Sequence, residues 1–161
     1  MHLNGRIVLS AHRMPSPSES VCTCFRLRRA ARQVSQIYDR ELAAVGLSLN
    51  EYSILRHTER GGHCLLGELA DSLGMERTTL TRNLKPLLEA GWLKEARGED
   101  ARQRLISVTA SGRKRIANAK PHWLRAQRRI EASYGIARTD RLRADLDLLD
   151  IALRHESGIA A

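Results

Sequence analysis

The most constraining feature of this chain is a change of hydrophobic period. From about residue 20 onward its apolar residues recur every three or four positions, the spacing of helices buried along one face. The pattern breaks once, between Trp92 and Thr109, where short alternating segments flank a polar turn at residues 97–103. A strand pair with a charged turn, set inside a helical chain, predicts a mainly α fold with a small β-wing. Composition agrees: apolar residues make up 42% but aromatics only 4%, so leucine and alanine must fill the core, as they do where helices pack on helices.

Residues 1–19 carry Pro15, Ser16, Pro17 and Ser18 with no apolar period and are expected to form a flexible arm; Met14 is a second candidate start. In the helical stretch 20–45, Leu27, Ala31, Val34, Tyr38, Leu42 and Val45 make one stripe that Gly46 ends. Ser48 and Glu51 form a capping-box pair for the next helix, which buries Tyr52, Ile54 and Leu55 and stops at Gly61-Gly62. A short helix over residues 66–73, a break at Gly74 and a second helix over 77–90 read as helix-turn-helix. The strands at 92–96 and 104–109 then read as a wing. Thr109 or Ser111 starts a long helix along Ile116, Ala119, Trp123, Ala126 and Ile130, and residues 138–155 give a last one along Leu142, Leu146, Leu149 and Leu153. Such seams exceed what a small winged unit needs to cover itself, so they are expected to bury against each other and a second subunit. The expected organisation is an arm at 1–19, a helical dimerisation region at 20–45 and 110–156, and a winged helix-turn-helix DNA-binding region at 46–109.

Charge points to a polyanionic partner: 27 Lys and Arg against 18 acids give a formal +9. A ribosomal or merely basic protein shares that balance, so the motif has to discriminate. On the helix at 77–90, Leu80, Leu84, Leu87 and Leu88 share one face. Arg77, Thr78, Thr81, Arg82 and Lys85 lie opposite, with Thr79 near the boundary. In a major groove, short hydroxyls can meet thymine methyls or phosphates and an Arg can fork onto guanine. A solvated amphipathic helix would show the same pattern, but the wing behind it favours double-stranded DNA. In that wing Asp100 and Arg102 are two apart and share a face, so the carboxylate can aim the guanidinium into a minor groove; Arg104 completes the candidate DNA-binding set. The alternative is a non-specific basic nucleic-acid-binding protein of nucleoid or RNA type, marked by equal affinity for every sequence.

Catalysis lacks its parts: there is no nucleophile with a base, no carboxylate pair and no phosphate-cradling glycine loop. No cofactor and no metal site is expected, since Cys22 and Cys24, two apart on a helix, point about 200° from each other. Three cysteines without framework spacing, no signal-peptide core and no apolar run of about 20 residues predict a cytoplasmic protein with no membrane partner.

Leu69-Ala70, Arg77-Thr78-Thr79-Leu80-Thr81-Arg82, Leu87, Gly91-Trp92-Leu93, Asp100-x-Arg102 and Thr109-Ala110-x-Gly112 together resemble the MarR family of bacterial transcriptional regulators, over residues 22–155. The resemblance implies a homodimer whose terminal helices form its body and whose winged units read a pseudo-palindrome. It also implies repression released by a small-molecule effector or an oxidant. Three departures stand out: Leu65 where Ser or Thr usually caps, Glu76 at the cap of the second helix of the motif, and Pro86, which removes the bond to the Arg82 carbonyl. Cys24-Phe25, aligned through Tyr38, resembles the sensing cysteine of the family's organic-hydroperoxide branch, with Arg28 in place of a tyrosine. Two readings stay open: a redox-sensing thiol favoured by Arg28, or a buried, inert cysteine. The resemblance further implies an effector site between the winged unit and the dimer helices, with a kink at Pro121 beside His122 and Trp123 shaping it.

Overall fold

The computed structural model describes residues 22–98, 100 and 103–156; the expected N-terminal arm and Arg102 lie outside the described residues. The helices are α1 (Thr23–Leu42), α2 (Leu49–Gly61), α3 (Leu66–Ser72), α4 (Arg77–Glu89), α5 (Ala110–Tyr134) and α6 (Ile136–Glu156). The strands are β1 (His63–Leu65), β2 (Leu93–Arg97) and β3 (Arg104–Val108), and a 3-10 turn, Ala43–Val45, follows α1. The chain divides into two compact units, Met1–Gln33 and Val34–Ala161, the boundary falling inside α1.

In the first unit the described part is the opening of α1. The Cys22 sulfur accepts the Phe25 N–H at 3.4 Å, and Arg26, Arg28, Arg29 and Arg32 are all exposed.

The second unit holds the core. Leu42, Ile54, Leu55, Leu69, Leu80, Leu84, Leu87 and Ile106 are wholly buried, so α2, α3, α4 and the sheet close around one apolar cluster. At about 1.5–3 kcal/mol per fully buried side chain, this cluster is the main support of the α4 platform. The capping box forms as the sequence predicts: Ser48 Oγ accepts the Glu51 N–H at 3.2 Å and Glu51 Oε2 accepts the Ser48 N–H at 2.8 Å. Thr109 caps α5, its oxygen accepting the Gly112 N–H at 3.0 Å.

Two strands were expected and three are present among the described residues. The order is β1-β3-β2, antiparallel throughout, with Cys64 opposite Ile106 and Glu95 opposite Ile106 on the other side. β1 lets the segment after α2 pair with the wing, anchoring the wing's inner strand on both edges. Neither proline ends its helix: α4 passes Pro86 for three more residues and α5 passes Pro121 to Tyr134. Trp123 packs between Tyr38 and Tyr52, with ring centroids 6.0 and 6.4 Å away.

Among the described residues the ends of the apolar seams stay exposed. On α6, Leu142, Leu146, Leu148, Ile151 and Leu153 are 41–65% exposed, and Tyr134 and Ile136 beside them are exposed too. Among the described residues no helix is long and apolar enough to cross a membrane.

Candidate nucleic-acid interface

Gly74, at φ +60°, lets the chain turn sharply between α3 and α4. Met75 N–H reaches back to the Ala70 carbonyl at 2.9 Å, so the first turn of α4 is held against the end of α3. Leu80, Leu84 and Leu87 then fix the rotation of α4 by burying completely. What remains outward is the set the sequence predicts: Arg77, Thr78, Thr81, Arg82 and Lys85 are exposed, and Thr79 is half-buried.

Their environments differ. The side chains of Thr78 and Arg82 make no hydrogen bond or ion pair among the described residues, and Lys85 has only an exposed contact to Glu89 at 3.9 Å. Such a pair is worth little and gives way easily to a stronger anion. Thr81 donates its hydroxyl proton to the Arg77 carbonyl at 2.8 Å, leaving its oxygen as an acceptor and its methyl free for apolar contact. Arg77 turns toward the start of α3, where a Cβ on Gly67 would come within 3.0 Å of its Nη2. It lines a 330 Å³ cleft with Glu68, Asp71, Gln103 and Arg104. Arg77 thus lies at a cleft shared by α3, α4 and the base of the wing.

In the wing, Gly98 N–H donates to the Gln103 carbonyl at 2.9 Å and Gln103 N–H to the Asp100 carbonyl at 2.8 Å, closing the turn. The pairing of Asp100 with Arg102 falls outside the described residues. Arg104 grips Glu95 on the neighbouring strand with Nε and Nη2, the latter 2.7 Å from Oε2. That hydrogen bonding holds the Glu95 carboxyl below the usual carboxylate range and raises Arg104. Sequence reasoning named Arg104 but missed Glu95, although their diagonal placement across an antiparallel pair is a readable charge pattern.

The cysteine region was left with two readings. Cys24 is exposed in its own unit, so the buried-cysteine expectation does not describe the single chain. Tyr38 is buried and donates its hydroxyl to Gln127 Oε1; burial, its leading influence, pushes its pKa up. Cys64 is buried, and burial raises its thiol pKa, with a smaller push from Glu68. Among the described residues no three His, Cys, Asp or Glu gather where a metal could be held. His122 Nδ1 lies 2.9 Å from the Glu41 carbonyl. A 470 Å³ cleft opens among Ser35, Asp39, Ser53, His57, Ser72 and Met75.

Comparison with known proteins places this arrangement. A sequence model of the MarR family matches residues 45–103, the span from the end of the 3-10 turn into the wing. The transcriptional regulator MosR of M. tuberculosis, solved in complex with DNA, is 39% identical, with a TM-score of 0.75 over 83% of this chain and 97% of MosR. The chain belongs to the MarR family. Within it, this MarR-family regulator is also 26% identical over 109 residues to the uncharacterized HTH-type transcriptional regulator YwoH of Bacillus subtilis, covering 68% of this chain and 80% of YwoH. MarR itself from E. coli, as a mutant complexed with operator DNA, shares the fold at a TM-score of 0.74 and 15% identity, over 82% of this chain and 96% of its own.

Proposed function

We propose that this MarR-family regulator acts as a homodimeric repressor on a pseudo-palindromic operator, with α4 in the major groove and the wing in the flanking minor groove. The observation that carries the reading is the division of α4. Leu80, Leu84 and Leu87 are wholly buried and Leu88 partly so, while the side chains of Thr78 and Arg82 stand exposed and unpaired on that rigid support. A guanidinium free of partners, on a helix whose rotation the core fixes, suits bidentate reading of guanine. The contact set is Arg77, Thr78, Thr79, Thr81, Arg82 and Lys85 on α4 with Asp100, Arg102 and Arg104 in the wing. Arg82 reads bases; Arg104, already neutralised by Glu95, buttresses the wing more than it adds charge.

Dimerisation is supported by the exposed apolar seam of α6, and the 39% identity to MosR, solved on DNA, supports the partner. The cleft between α1, α2 and the end of α3 is the candidate place for a small-molecule effector, while the exposed Cys24 thiol is open to an oxidant. Operator binding before and after stoichiometric organic hydroperoxide, in wild type and Cys24→Ser, separates these routes. Release of wild type alone assigns control to Cys24, and equal behaviour leaves it to a ligand.

The test of the main reading is selection of bound fragments from the source genome. Recovered fragments should share a pseudo-palindrome with half-sites about one helical turn apart. Fragments without a shared sequence would contradict operator reading.

A further inference from the structure

Arg115, on the second turn of α5, is outside the α4 and wing contact set, yet it touches both ends of the segment that carries that set. Its Nη2 donates to the Gly46 carbonyl at 3.0 Å, at the junction where α1 and its 3-10 turn give way to α2. The centre of the same guanidinium lies 4.6 Å from the centroid of Trp92, at the junction where α4 gives way to β2, within range of a cation–π attraction. Gly46 is closely fitted to this arrangement: its φ is +62°, and a Cβ there would lie 3.2 Å from Arg115 Nη2. Trp92 is tied to the start of α5 by a second route, its carbonyl accepting the Thr109 N–H at 3.0 Å.

One feature of Arg115 works against simple stabilisation. Its Nε is buried and makes no hydrogen bond, and a buried, unmet donor costs stability. Methionine, shorter, unbranched and apolar, carries no such donor, so its loss of the Gly46 and Trp92 contacts is offset in part. Arg115, a strap across both junctions, therefore retains a destabilising group.

We infer that Arg115 is a positioning residue that fixes the pose of the winged segment on α5 and thereby sets the half-site spacing the dimer accepts. This rests on the operator reading above. In a dimer whose body includes α5, the separation of the two α4 helices depends on the angle at which each winged segment leaves α5. Moving a half-site by one base pair shifts it about 3.4 Å along the axis, so loosening the strap broadens the range of spacings tolerated.

The experiment uses full-length protein and a duplex obtained by selection from random-sequence DNA. Its half-sites are re-spaced by one and two base pairs in each direction. Wild type, Arg115→Lys, Arg115→Met and Arg115→Gln are compared for affinity at each spacing and for thermal midpoint. Arg115→Met should lower the midpoint only slightly while its discrimination between the best spacing and one base pair off falls by about fivefold or more. Arg115→Lys, which keeps a cation for Trp92, should restore part of it. A uniform loss at every spacing, in step with a lowered midpoint, would make Arg115 merely structural and overturn the inference. So would a variant profile as sharp as wild type. Wild type that binds every duplex alike would overturn the operator reading first and this inference with it.

Discussion

A Cβ on Gly112 would lie 2.1 Å from the carbonyl oxygen of Trp92 and 2.8 Å from Val108 Cγ1, so the first turn of α5 sits directly on the mouth of the wing. No side-chain rotation relieves a clash with backbone. Thr109, three residues earlier, works with this glycine: it accepts the Gly112 N–H and donates its hydroxyl to the Gly91 carbonyl at 2.7 Å. The Thr-x-x-Gly spacing is thus a packing device, joining helix cap and close approach in one turn.

Gly112→Ala should lower stability by about 3 kcal/mol, the upper end of overpacking costs, and weaken DNA binding by displacing the wing. Urea unfolding measures the first and duplex titration the second. A variant as stable as wild type would mean α5 can lift from Trp92 without loss.

The helices were legible because their apolar periods are long and their ends marked: Ser48 with Glu51, Thr109 with Gly112. The outward face of α4 was legible for the same reason, since three leucines fix its rotation. β1 was not, because three residues, His63-Cys64-Leu65, carry no alternation to count and become a strand only by pairing with β3. Arg115 and Glu95 were missed because their partners, Gly46 and Trp92 for one and Arg104 for the other, are chosen by tertiary and cross-strand geometry. Pro121 costs α5 one backbone hydrogen bond, and core contacts at Ala119 and Ala126 on either side carry the helix past it.

Acid should loosen the junction of α1 and α5. Glu41 accepts hydrogen bonds from Arg129 at 2.9 Å and Arg125 at 3.1 Å, and these hold its pKa below the ordinary value. Glu131, bonded by Arg143 and Gln127, is lowered in the same way. A carboxyl depressed in the folded state contributes its full stabilisation above the unfolded pKa of about 4.3 and loses it as pH falls through the folded value. Urea midpoints should therefore drop on the acid side of that window, and Glu41→Gln, which mimics the protonated carboxyl, should already show the lowered midpoint at pH 7 and a flatter acid limb. An acid limb of equal slope in the variant would remove Glu41 from the account.

The exposed leucines of α6 need a partner chain. Sedimentation at micromolar concentration should give twice the 18.1 kDa chain mass. Leu146→Asp, placed in a seam residue 41% exposed in the single chain, should cause dissociation coupled to unfolding. A folded wild-type monomer at that concentration would leave two-site DNA reading without a basis.

Arg82 tests the central claim most directly, because it is exposed, unpaired and carried on a helix whose rotation the core fixes. The measurement is the affinity of wild type and Arg82→Ala for the selected operator and for a scrambled duplex of equal length at one salt concentration. Arg82→Ala should weaken operator binding by about 1–3 kcal/mol and scrambled binding by clearly less, narrowing the specificity ratio. An unchanged operator affinity, or an equal loss on both duplexes, would contradict the placing of α4 as the helix that reads sequence.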